Sequence, residues 1–174
     1  MRTLRRLLRC ERGFTLIELV QASAILSVVL TALTVLFVQA TNAELRMNER
    51  FQAQQRARVA VDRMRREIHC ASAVTPAGTS ASITVTLPSQ CPSAGGSQIT
   101  VVYDTQLVSS NRYRLRRAGV AIADYVTSPN AFTYTYDTGK RGTLRVTLPI
   151  DPSAAKTRPW RLVADMVLRN SPRL

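Results

Sequence analysis

Residues 13–40 read GFTLIELVQASAILSVVLTALTVLFVQA, and this stretch decides the fold. From Phe14 to Val38 its only ionisable side chain is Glu18. At about 1.5 Å per residue, a helix of that length spans the roughly 30 Å hydrocarbon layer of a bilayer. Arg2, Arg5, Arg6, Arg9 and Arg12 precede it against one acid, Glu11. That positive flank predicts an N-terminus held in the cytoplasm and a C-terminal domain outside. The first charges beyond the span, Glu44 and Arg46, carry no net bias. A secretory signal peptide is one reading, since Val38-Gln39-Ala40 resembles a small-residue cleavage site. Its apolar region, however, is ordinarily only about 7–15 residues long. A plain transmembrane anchor explains the length but not Glu18, because a carboxylate in hydrocarbon costs about 2.5–3.5 kcal/mol or more.

Working outward, no Gly or Pro occurs between Phe14 and Thr75, so the helix is predicted to continue past the membrane. From Thr41 to about Ala71 the pattern is amphipathic. Met47, Phe51, Ala57, Val61, Met64 and Ile68 form an apolar stripe expected to lie on a sheet. Arg46, Arg50, Arg56, Arg63 and Arg66 fall largely off it, and Asp62–Arg66 and Arg63–Glu67 are i,i+4 pairs. The sole histidine, His69, reads as a solvated or capping residue without a chemical role.

After Thr75-Pro76-Ala77-Gly78 the period switches from 3.6 to 2. Ile83, Val85 and Leu87 alternate with threonines; Ile99, Val101 and Tyr103 form a second strand; Tyr113 and Leu115 alternate with arginines in a third. Val120 and Ile122 open a fourth, and Phe132, Tyr134 and Tyr136 mark a fifth. Leu144, Val146 and Leu148 follow, then Trp160, Leu162, Ala164, Met166 and Leu168. Such alternation predicts antiparallel sheet with one buried face. Pro and Gly mark loops at Ser89–Ser97 and Asp137–Gly142, with a longer polar connection at Ile150–Pro159. The fold class is α+β: one long N-terminal helix packed on an antiparallel sheet.

The formal net charge is +13, from 24 basic and 11 acidic residues, and Lys140 and Lys156 are the only lysines. An arginine-favouring codon bias accounts for this, as does a surface that attracts nucleic acid or anionic lipid. Arg112, Arg114, Arg116 and Arg117, with Lys140 and Arg141, are the candidate phosphate-contacting patch. A solvated strand face is the plainer account of the same residues. Single-strand readers usually add exposed aromatics, and Tyr113 is the one candidate inside the patch. Of the cysteines, Cys10 lies in the basic leader, which leaves Cys70 and Cys91. In an exported domain an even pair suggests a disulfide, worth roughly 3 kcal/mol for a loop of about 20 residues; two free thiols are the alternative. No catalytic or nucleotide-binding signature occurs, and one histidine cannot build a multi-histidine site. Asp104, Asp124, Asp137, Asp151 and Asp165 are too scattered for a calcium loop. No enzyme, cofactor or metal is expected.

The basic leader, Gly13-Phe14-Thr15-Leu16-Ile17-Glu18 and the apolar helix resemble the prepilin signal of type IV pilins and type II secretion pseudopilins. The resemblance implies that prepilin peptidase cuts between Gly13 and Phe14 and that Phe14 is then N-methylated. Glu18 becomes the fifth residue of the mature chain, where it pairs with the N-terminal amine of a neighbouring subunit and sets the register of a filament. Small residues such as Ala22, Ser23, Ala24 and Ser27 allow close helix packing. The implied organisation is a cleaved leader (1–13), a transmembrane and filament-core helix (14–40), an amphipathic helix (41–72) and a β-rich pilin domain (73–174). The run Asp62–Glu67 and the closing Val167-Leu168-Arg169-Asn170 are similar to PilW-like minor pilins and J-type pseudopilins. Gln21, where an apolar residue is usual, and Val35, where many major pilins have proline, favour a minor subunit. The implied partners are prepilin peptidase, other pilins or pseudopilins and an assembly platform in the cytoplasmic membrane. DNA, taken up through a pilus-tip receptor during natural transformation, or a secreted protein substrate would be the cargo.

Overall fold

A computed structural model describes residues 15–137, 139–153 and 159–170. The chain divides into two compact units, Met1–Leu45 and Arg46–Leu174. One helix, α1 (Leu16–Cys70), contributes to both.

In the first unit α1 is apolar and long enough to cross a membrane, and its side chains from Leu16 to Ala40 are exposed. The hydroxyls it carries are satisfied within the helix. Ser23 donates to Val20 C=O (2.9 Å), Ser27 to Ala24 C=O (2.7 Å), Thr31 to Ser27 C=O (2.7 Å) and Thr34 to Leu30 C=O (2.8 Å). These back-bonds leave the helix surface without an open hydroxyl donor, which is what a lipid or helix-packed environment demands.

In the second unit the buried stripe of α1 is Ala53, Ala57, Ala60, Val61, Met64 and Ile68. It begins later than the sequence pattern predicts: Met47 is 72% exposed and Phe51 59%. Ala53, Ala57 and Ala60 are buried in that stripe, and full burial of Met64 and Ile68 contributes about 1.5–3 kcal/mol each. The helix ends at Cys70, ahead of the extended run toward Thr75-Pro76.

Nine strands form one curled antiparallel sheet among the described residues. They are β1 (Ala73–Thr75), β2 (Gly78–Ser80), β3 (Ser82–Leu87), β4 (Ile99–Ser109), β5 (Arg112–Arg117), β6 (Val120–Val126), β7 (Phe132–Thr135), β8 (Thr143–Ile150) and β9 (Trp160–Val167). Their order is β1-β3-β4-β5-β6-β8-β7-β2, with β9 on the other side of β8. One edge of β8 pairs with β7 over Thr143–Val146 and meets β6 only at Ile150↔Val126; its opposite edge pairs with β9 throughout. Ile83, Val85, Leu87, Tyr103, Leu115, Leu144 and Leu148 close the core under α1.

Two strands depart from simple alternation. In β6 the buried residues are Ala123 and Val126, and Val120 is 67% exposed. Register shifts between β5 and β6, and a left-handed Tyr125 (φ 64), turn the strand so that its inward face is out of step. Tyr136 lies beyond the end of β7 and is exposed, its ring 6.0 Å from that of Tyr134. The sequence pattern does not reveal β1 and β2, three residues each around Pro76 and Gly78.

Candidate functional site

Gly13 and Phe14 lie outside the described residues. The first turn of α1 is described, and it holds Glu18 in a capping box. Thr15 stands at the N-cap and Glu18 three residues on. Thr15 N–H and Oγ1 donate to Glu18 Oε2 at 3.2 and 3.1 Å, and Glu18 N–H donates to Thr15 Oγ1 at 3.4 Å. Two orphan donors of the helix end are thereby satisfied, and the negative carboxylate sits at the positive end of the helix dipole. Among the described residues the bonds to the carboxylate go to Oε2, which leaves Oε1 with capacity to accept from a cation. Sequence reading treats Glu18 as unexplained until a partner is supplied. The T-x-x-E spacing was a legible signal for this local role.

The second carboxylate of interest on α1 is Glu67, and its setting is the opposite. It is 2% exposed. Tyr103 Oη on β4 donates to Oε2 at 2.6 Å. Arg117 on β5 donates through Nε to both oxygens at 3.0 Å, with Nη2 also 3.0 Å from Oε1. Arg63 on α1 approaches at 3.5 Å. The expected Arg63–Glu67 surface pair is thus the outer part of a buried clamp between helix and sheet. Burial, then the bond to Glu67 and its charge, push the Tyr103 hydroxyl well above its ordinary pKa. Burial works against the Arg117 charge, but the hydrogen bond and charge of Glu67 outweigh it and hold that pKa above the ordinary value. Asp62 pairs with Arg65 (3.3 Å), where the sequence pattern suggested Arg66.

The C-terminal end of α1 is tied down by several groups. Cys70 and Cys91 form a disulfide with Cα atoms 5.8 Å apart. Asn170 Nδ2 donates to Cys70 C=O at 2.9 Å, and His69 Nδ1–H donates to Val167 C=O at 2.9 Å. His69 therefore has a structural partner on β9 that its position near a helix end did not disclose.

Arg112, Arg114, Arg116 and Arg117 lie along β5, and each has a partner. Arg114 Nε is 2.7 Å from Asp124 Oδ1, Arg116 pairs with Asp104, and Arg117 belongs to the clamp. Arg112 donates to Pro152 C=O (2.8 Å) and Ser153 C=O (3.2 Å), and its guanidinium lies 5.2 Å from the Tyr125 ring centre. Lys140 contacts Asp137 at 2.8 Å, and Arg141 is exposed. Both stand in the β7–β8 connection beside Thr143, whereas β6, which carries β5, meets β8 at Ile150. Among the described residues no group of His, Cys, Asp or Glu is placed to hold a metal ion.

Comparison with known families matches residues 8–34 to the prokaryotic N-terminal methylation motif. The motif marks a type IV pilin-like, prepilin-type signal, implying processing by prepilin peptidase and assembly with other pilins. No curated protein and no solved structure matches the chain.

Proposed function

We propose that this protein is a minor pilin or pseudopilin, a subunit that takes part in the assembly or the tip of a type IV pilus or a type II secretion pseudopilus. The observation that carries this reading is the coincidence of the methylation motif with a membrane-length helix whose first turn presents Glu18. Prepilin peptidase cuts between Gly13 and Phe14 on the cytoplasmic side, and Phe14 is N-methylated. The freed amine of one subunit, charged below its ordinary pKa near 8, then meets the Glu18 carboxylate of its neighbour. In a core with little water that pair fixes the axial register, and the apolar helices pack around it. The domain beyond Arg46 stays outside the cytoplasmic membrane and contacts neighbouring subunits or cargo.

Mass spectrometry of the exported chain tests the processing step: the expected first residue is N-methyl-Phe14, and any other terminus removes the assignment. Glu18→Ala should leave cleavage largely intact and impair filament incorporation; normal incorporation removes the register mechanism. A DNA-binding tip receptor for natural transformation draws less support, because Arg114, Arg116, Arg117 and Lys140 already face carboxylates. Salt-dependent retention of DNA by the mature chain, lost on Arg112→Glu or Arg141→Glu, would restore that reading.

A further inference from the structure

Among the described residues β1, β2 and β9 leave an edge of the sheet open, and β6 leaves one open ahead of its single pairing with β8 at Val126. β1 and β2, at the two ends of the sheet, are three residues each and flank Pro76. β9 is eight residues long, pairs with β8 in unbroken register and contains no proline. Natural edge strands are usually blunted by shortness, proline, a bulge or charged side chains, and of these β9 has only the charges, Arg161 and Asp165.

The ladder fixes which backbone groups of β9 are open. Leu168 N–H donates to Gly142 C=O at 2.9 Å on the β8 side. In an antiparallel pair the hydrogen-bonded positions alternate, so Trp160, Leu162, Ala164 and Met166 turn their backbone groups to β8. Arg161, Val163 and Asp165 turn theirs away. At Val167 the outer edge is capped by the end of α1: its C=O accepts from His69 Nδ1–H, and Arg169 N–H donates to His69 C=O at 3.3 Å. Among the described residues nothing comparable covers 161–165.

The side chains along that edge set its charge. Arg145 holds Asp165 through two bonds, at 2.7 and 2.9 Å. Arg161 has no ion-pair partner among the described residues, and Arg58 lies 5.5 Å over the Trp160 ring at the same end. Val163 is half exposed between Arg161 and Asp165. The open backbone is therefore bordered by uncompensated positive charge and one β-branched side chain.

We propose that the outer edge of β9 accepts an additional strand from a different protein: an extended segment with a carboxylate opposite Arg161 and an apolar residue opposite Val163. Main-chain hydrogen bonds to Arg161, Val163 and Asp165 supply the affinity, and the charge pairing selects the segment. A second copy fits less well. Pairing β9 with itself sets Arg161 against the partner's Asp165, which that copy's own Arg145 already holds; β1 and β2 are only three residues long, and β6 is turned out of step by its register shifts and left-handed Tyr125.

The full-length chain in detergent, titrated with a seven-residue peptide whose single valine stands two positions before its single glutamate, with threonine elsewhere, tests this. Binding should slow amide exchange at Arg161, Val163 and Asp165. Val163→Pro removes an outward N–H that β8 does not use, so it should melt like the parent yet bind at least about tenfold more weakly. Arg161→Glu should lose the glutamate peptide and gain its lysine counterpart, which decides the matter should the proline variant fail to fold. Unchanged binding by a folded Val163→Pro, no measurable binding by the parent, protection elsewhere in the sheet, or a β9–β9 dimer without peptide would overturn the proposal. None of these outcomes bears on processing at Gly13–Phe14, so the assembly reading stands or falls separately.

Discussion

Glu18 and Glu67 lie on the same helix and have opposite lives. Glu18, in the first unit, is exposed and, among the described residues, bonded only to its own helix end. Glu67, in the second, is sealed between Arg117, Tyr103 and Arg63. The contrast extends to the side chains around them. Leu16 to Ala40 buries nothing within the chain, whereas Ala53 to Ile68 is packed against a sheet. The membrane-length segment leaves its apolar surface exposed, and its carboxylate bonds to its own first turn. A segment whose acid is matched by its own sheet is finished when the chain folds.

Breaking the finished region should give the largest effect. Glu67→Ala leaves the Arg117 guanidinium and Tyr103 hydroxyl without their shared acceptor, and removing one member of a buried ion pair costs roughly 3–5 kcal/mol. A denaturant midpoint for the second unit that stays in place would show that the clamp is dispensable. Alkali approaches the same clamp through Tyr103. Its pKa is raised in the fold, so its contribution is fully present below the ordinary tyrosine value near 10 and is lost as pH rises toward the folded value. Unfolding of the second unit should therefore become easier above about pH 10, and Tyr103→Phe should flatten that limb.

Gly142→Ala sharpens the comparison inside the packed region, because an added Cβ collides with the Tyr134 hydroxyl. The expected loss is about 1–3 kcal/mol, and trimming the ring with Tyr134→Val should make the double change less than additive. Thr15→Ala should have the smallest effect, about 1 kcal/mol, confined to the first turn. Amide exchange should quicken there and nowhere in the sheet. A change in the global melt would contradict the independence of the two ends.

The helix was legible because its signals are local. An uninterrupted run without Gly or Pro, and small and hydroxyl residues that satisfy themselves within α1, need no distant partner. Strands β3, β8 and β9 were legible for a similar reason, since inward residues alternate without interruption. Met47 and Phe51 were read into the buried stripe because periodicity reports which face is apolar, not how far the covering sheet extends. In β6 a left-handed Tyr125 and two register shifts broke the period itself.

The sequence by itself determined the membrane-length helix, the methylation motif at its start and the α+β class, since each follows from residues near one another along the chain. Only the tertiary structure decided that Glu67 is an interior acid, that the arginines of β5 are mostly spoken for, and that β9 ends beside His69 with its outer backbone, among the described residues, open over 161–165. Those outcomes depend on pairings such as Glu67–Arg117 and His69–Val167, where the sheet brings together groups 50 and 98 residues apart. Periodicity reports which way a side chain points along its own element; it carries no information about the charge or backbone group waiting opposite.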